Sequence, residues 1–291
     1  SNTLKFGNGT WANKKGSTLA YNSENNNFKP LPFNFERDSI ATRVNKEGLI
    51  EVVGKDIPRI DYTDSSEGVL LLEKASTNLI TYSEDFSQSA WSKFRLSVST
   101  NSIISPDGNY NVYEIIEDST NNSHVLRFSF TSLNTDYSFS FFVKSKSGDR
   151  YIELDLGYNA NKSIFDIEKG LIISDTTNNA KITSLDNDWY KISISDTVLL
   201  NENSYDIRLV DKSSGSDTYL GNGTSGVYIW GAMLEQNSVA SSYIPTNGSA
   251  VPRAAETCNE AGNEQVFNDS EGVLFADISA LADDNTNRFI S

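Results

Sequence analysis

Only a few side chains in this sequence are of types that do covalent or acid–base chemistry unaided. There is one histidine and one cysteine in 291 residues: His124, within "NNSHVLRF", and Cys258. A Ser/His/Asp or Cys/His catalytic arrangement would have to recruit His124, yet nothing near Cys258 or any serine singles out a nucleophile. His124 is therefore expected to be a surface loop residue at a strand entrance. A lone cysteine excludes an intrachain disulfide framework and a cysteine zinc site. The two "GNGT" tetrads, at 7–10 and 221–224, lack the lysine and the following helix of a phosphate loop, and read as turns. Carboxylates are abundant, so inventory alone permits a glycosidase pair, set about 5 Å apart if retaining or about 6.5–9.5 Å if inverting. The short regular repeats of a β-helical depolymerase are missing from the sequence. No catalytic residue is assigned, and the chain is expected not to be an enzyme.

Charge narrows the partners. Lys and Arg total 24 against 39 Asp and Glu, a formal charge of −15. A phosphate backbone or an anionic bilayer would be repelled except at a local basic patch, so neither nucleic acid nor membrane is an expected partner. No stretch approaches the roughly 20 apolar residues of a spanning helix.

The elements that must position any site are strands. Strict alternation recurs through the middle of the chain, and no i, i+3, i+4, i+7 pattern persists beyond two turns. One parity collects Leu126, Phe128 and Phe130; then Tyr137, Phe139, Phe141 and Val143; then Ile152, Leu154 and Leu156; then Tyr190, Ile192 and Ile194; then Tyr205, Ile207 and Leu209. Turn signals separate these runs: "KSGDR", "DIEKG" (Asp166 bonding its own backbone, Gly170 left-handed) and "LDNDW". The expectation is an all-β protein: an antiparallel β-sandwich of jelly-roll type over 78–246, preceded by an extended, irregular, Asn-rich N-terminal region (1–77) for attachment and oligomerisation. A polar linker (247–270) then leads to a new strand pattern at 271–291. In "VYIWGAMLEQNSVASSYIPT", Trp230 is expected on one parity with Tyr228 and Leu234, in the core, with Tyr243 and Pro245 fixing the exit of the chain. Trp91 is likewise expected to pack in the core.

The reverse parity is the candidate binding face. It carries Arg127, Ser140, Phe142, Tyr151, Glu153, Asp155, Asp206 and Arg208, with Trp189 at the start of its strand. Sugars present C–H patches beside hydroxyl edges, which suits flat aromatic rings next to carboxylates and guanidinium donors. Arg127, Phe142, Tyr151, Glu153, Asp155, Trp189 and Arg208 are thus candidate glycan-binding residues. A solvated or oligomer-buried outer face would show the same alternation.

The run "FERDSIATRVNKEGLIEVVGKDIPRIDY", then "GVLLLEKASTNLITYSEDFSQSAW", then "YIWGAMLEQNSVASSYIPTNGSAVPRAAE" resembles the linked segments of bacteriophage head-spike and tail-fibre proteins, over roughly 30–256 and in the same order. The resemblance implies a carbohydrate-binding-like jelly roll and, in "EGVLFADISALADDNTNRFIS", the first strands of a concanavalin A-like lectin module. The chain would then be the leading part of a longer virion appendage, a homotrimer joined to other virion proteins through its N-terminal region and contacting cell-surface glycans. Jelly rolls of this kind often hold a structural calcium ion; Glu84, Asp85 and Glu235 are the residues here that could bind one. A structural virion role without sugar binding, and a polysaccharide-degrading enzyme, are the competing readings.

Overall fold

The computed structural model describes residues 34–146, 150–157, 161–202 and 204–259, and the backbone of three short strands before them. The expected strand pattern at 271–291 and the centre of the "KSGDR" turn lie outside the described residues. Every regular element described is a strand. The strands are β1 (Trp11–Asn13), β2 (Leu19–Asn22), β3 (Asn27–Pro30), β4 (Asn34–Glu36), β5 (Ala41–Val44), β6 (Ile50–Val53), β7 (Arg59–Asp61), β8 (Val69–Leu71) and β9 (Ser76–Asn78). There follow β10 (Trp91–Phe94), β11 (Leu96–Asn101), β12 (Val112–Glu117), β13 (Asn121–Phe128), β14 (Thr135–Ser145), β15 (Tyr151–Leu156), β16 (Lys162–Asp166) and β17 (Leu171–Asp175). The rest are β18 (Lys181–Ser184), β19 (Trp189–Val198), β20 (Tyr205–Val210), β21 (Thr218–Leu220), β22 (Gly226–Glu235), β23 (Val251–Arg253) and β24 (Thr257–Asn259).

Two compact units emerge, one from residues 47–50 and 76–252, the other from 1–46, 51–75 and 253–291. The larger is an antiparallel sandwich. Its sheet A runs β10-β13-β20-β15-β16-β17, with β21 beside β13, and its sheet B runs β11-β12-β22-β14-β19-β18. The chain crosses repeatedly between the sheets, and each strand delivers one hydrophobic parity to the space between them. Leu126, Ile152, Leu154, Ile207, Phe139 and Ile194 are all fully buried there. Each such side chain contributes about 1.5–3 kcal/mol by leaving water. Trp91 closes one end, its indole N–H donating to the Tyr82 carbonyl at 3.0 Å. The turn at 166–170 forms as its residues dictate: Asp166 accepts the Lys169 N–H at 3.4 Å and Gly170 takes φ +65°.

One parity breaks. Ser140 faces Met233 while Phe142 faces Trp230, so two residues of β22, Gly231 and Ala232, oppose the single Phe141 of β14. The bulge falls at Gly231, φ +61°, a conformation that an L side chain resists. Val227 and Ile229 point into the core before it, Ala232 and Leu234 after it. Trp230 is therefore thrown onto the reverse of sheet B, contrary to its expected place with Leu234. There its ring packs against those of Tyr243 (centroids 4.6 Å) and, edge-on, Phe142 (5.2 Å). The Tyr243 hydroxyl meets Ser83 Oγ at 2.7 Å and donates to Glu84 at 2.9 Å. Asn78 stitches the same seam: its amide donates to the carbonyls of Ala232 (3.1 Å) and Ile244 (2.8 Å), and its oxygen accepts the N–H of Ile80 and Leu234. The closing stretch is thus structural, but it seals an outer face rather than the central core.

The smaller unit is organised by charge. Arg59, wholly buried, donates to Glu256 at 2.7 and 2.5 Å, to Glu73 at 2.8 Å and to the Thr42 carbonyl at 2.8 Å. Arg37 donates to Glu256 at 2.7 Å. Residues 257–259, expected to be linker, instead form β24 and pair with β4, Cys258 facing Phe35.

Candidate functional site

The outer face of sheet A carries most of the candidates. Cross-strand register sets them in two rows: Ser92, Arg127, Asp206, Asp155 and Lys162 in one; Phe94, Val125, Arg208, Glu153 and Ile164 in the next. The rows interlock through charge. Arg127 forks onto Asp206 at 2.6 and 2.8 Å. Arg208 reaches Asp206 at 2.7 Å, Asp217 at 3.1 Å and Asp155 at 3.2 Å, while Lys162 meets Glu153 at 2.9 Å. Asp206, Glu153 and Asp155 lie beneath these cations and are buried. Burial, reinforced by the charges of Asp206 and Glu153, pushes the Asp155 carboxyl up to about 7, against the opposing pull of Arg208 and Lys162. Three atoms of this lattice, Asp155 Oδ1, Glu153 Oε1 and Arg208 Nε, have no hydrogen-bond partner among the described residues.

Beside the lattice lies a cleft of about 340 Å³ lined by Phe94, Arg95, Asn122, Ser123, Val125, Arg127 and Arg208. Phe94 is 46% exposed, and the Arg127 guanidinium lies 5.3 Å from its ring centre. A half-exposed ring, pinned by a cation and flanked by amide, hydroxyl and guanidinium donors, can stack one face of a sugar and hydrogen-bond its edge.

Of the predicted glycan residues, Arg127, Glu153, Asp155 and Arg208 come together here. Tyr151 lies on the same sheet at a distance along β15, its ring covered by Lys212 at 5.3 Å. Phe142 and Trp189 do not join them. Both belong to sheet B and are 2% and 1% exposed. Phe142 is roofed by Trp230 and Tyr243, and the Trp189 indole is spent on the Ile104 carbonyl at 3.0 Å. Alternation assigns a side chain to the reverse of its strand, but long-range pairing decides which sheet's reverse that is. Phe94, Arg95 and Lys162 were missed; the clue to Phe94 is a large aromatic on the parity opposite the core Trp91 in "WSKF".

His124 is not a loop residue. It is fully buried, Nδ1 lies 2.6 Å from the Arg95 carbonyl, and its ring packs 4.8 Å from that of Tyr219.

The proposed calcium ligands are already engaged by protein donors. Glu84 accepts from the Tyr243 hydroxyl and from Asn111 at 2.9 Å each, and burial raises its pKa. Asp85 accepts from Ser87, Gln88 and, at 2.7 Å, the Tyr113 hydroxyl; burial opposes ionisation, but these bonds outweigh it and hold the carboxyl at about 2. Glu235, wholly buried, accepts from Ser76 at 2.6 Å and from the Ser241 N–H and hydroxyl. Among the described residues no group of three or more His, Cys, Asp or Glu side chains is arranged to hold a metal ion.

No protein-family model matches the chain. No curated protein matches it. Among solved structures it is similar to the CBM22-1 xylan-binding domain from Paenibacillus barcinonensis Xyn10C, with 9% identity and a TM-score of 0.30, over 56% of this chain and 94% of that one. It is also similar to TmCBM27, a carbohydrate-binding module with specific mannan recognition, with 10% identity and a TM-score of 0.28, over 57% and 98% of the respective chains. At these values the likeness carries nothing about ligand or activity to this chain.

Proposed function

We propose that the protein is a non-catalytic carbohydrate-binding component of a bacteriophage head spike or tail fibre, homotrimeric, attached to other virion proteins through residues 1–77 and exposed outside the host cell. The observation that carries the binding role is the Phe94 platform: an exposed ring held by Arg127 over a cleft rich in directional donors. The virion and trimer assignments are supported by the resemblance of the linked segments to phage appendage proteins. One cleft of this size would bind a sugar with millimolar to micromolar affinity, about 4–8 kcal/mol. Several copies on one particle would raise effective affinity by about 10²–10⁴ without new contacts.

Titration of host-derived oligosaccharides into wild type and Phe94→Ala, with copy number fixed by sedimentation, tests this reading. Binding that falls at least about tenfold in the variant supports it. No binding to any host polysaccharide would leave a structural virion role in its place. Asp155, near neutrality among other carboxylates, is the one observation that favours a hydrolase; release of reducing ends by wild type but not by Asp155→Asn would establish that alternative.

A further inference from the structure

The sugar-binding reading leaves one cation of the Phe94 cleft without an assigned role. Arg95 stands where the chain crosses from β10 in sheet A to β11 in sheet B, and its backbone is left-handed, φ +57°. An arginine there is strained by its own Cβ, and glycine would fit without that strain. The conformation is fixed from behind: the Arg95 carbonyl accepts the Asp118 N–H at 2.9 Å and lies 2.6 Å from buried His124 Nδ1. The side chain is exposed and makes no hydrogen bond or close ion pair with a described residue; only the charge of Asp118, which lines a neighbouring cleft with it, acts on it at longer range. It contributes to the Phe94 cleft, where Arg127 and Arg208 are already paired with carboxylates beneath them. The lining of that cleft contains three arginines and no acid, in a protein of charge −15.

We infer that the ligand of this face is an acidic glycan, and that the Arg95 guanidinium takes the oxyanion on the sugar stacked on Phe94. The inference rests on the glycan-binding reading and names its substrate class. Arginine matches a planar or tetrahedral oxyanion through paired N–H donors, and Phe94 and Arg95 line the same cleft, so an acidic group on a sugar stacked on the ring has a guanidinium within that cleft to pair with. Arginine serves such a receptor better than lysine, because its planar fork is pre-organised and less freedom is lost per hydrogen bond formed.

The test compares full-length wild type with Arg95→Gly and Arg95→Lys, titrated with tetragalacturonate, a sulfated and carboxylate-free κ-carrageenan tetrasaccharide, and neutral xylo- and manno-tetraose. Glycine is compatible with the backbone at this position, so Arg95→Gly should melt within about 3 °C of wild type. Expected is an acidic probe bound at least about tenfold more tightly than the neutral ones, that advantage lost in Arg95→Gly and partly kept in Arg95→Lys. Whichever acidic probe shows it identifies carboxylate or sulfate as the group recognised. Equal affinity of wild type for acidic and neutral probes, or an acidic preference that survives Arg95→Gly, overturns the inference while leaving the sugar-binding reading in place. Failure of every probe, host glycans included, overturns both.

Discussion

Asp155→Asn should make the protein more stable at pH 8, although it removes a partner of Arg208. The ordinary aspartate value is 3.8, and in the folded sandwich burial lifts Asp155 to about 7. Below about pH 4 the group is protonated whether the chain is folded or not, and ionisation costs the fold nothing. As pH rises from 4 to 7 the unfolded chain ionises freely while the folded one keeps its proton, so stability is lost across that window. Above pH 7 the loss is complete. Each pH unit between the two values is about 1.4 kcal/mol, giving an upper figure of about 4 kcal/mol. Asparagine keeps the shape without the charge, so the variant should match wild type at pH 4 and exceed it by about 2–4 kcal/mol at pH 8. Urea unfolding followed by tryptophan fluorescence at both pH values reads the difference. A variant less stable than wild type at pH 8 would mean that the Arg208 and Lys162 charges outweigh burial, and the account of the lattice would be wrong.

Two further substitutions probe the seam on sheet B. Gly231→Ala would place a Cβ 2.9 Å from the Phe142 ring at a φ of +61°, combining left-handed strain with overpacking, and should cost about 2–4 kcal/mol in urea unfolding; a neutral result would mean that β22 can shed its bulge. Asn78→Ala strands two buried carbonyls and two buried N–H groups and should cost about 3 kcal/mol or more, with a fall in melting temperature; an unchanged melting temperature would show that water replaces the amide.

The sandwich core was largely legible, because alternation is a local property and the inward sets from Leu126 to Leu209 are all buried or partly buried as read. The candidate binding face was legible only in part. Arg127, Glu153, Asp155 and Arg208 meet because β13, β20 and β15 are neighbours in sheet A, whereas Phe142, read from the same kind of alternation on β14, belongs to sheet B. Pairing between strands far apart in the chain has no local signature. The bulge that redirects Trp230 did have one, a glycine inside a strand of large residues, and weighing it would have separated Trp230 from Leu234. The ion-pair core of the smaller unit was hidden for another reason: Arg37, Arg59, Glu73 and Glu256 are polar letters, and composition gives no hint that they are buried together.

The lid that Tyr243 and its neighbours place over Phe142 and Trp230 makes the sandwich asymmetric. On the proposed glycan-binding reading, with that area of sheet B sealed, the Phe94 side would be the module's working surface and the approach of a receptor would be directional. Copies gathered on one particle would then have to be turned with that side outward, which limits how they can be mounted far more tightly than a two-sided module would.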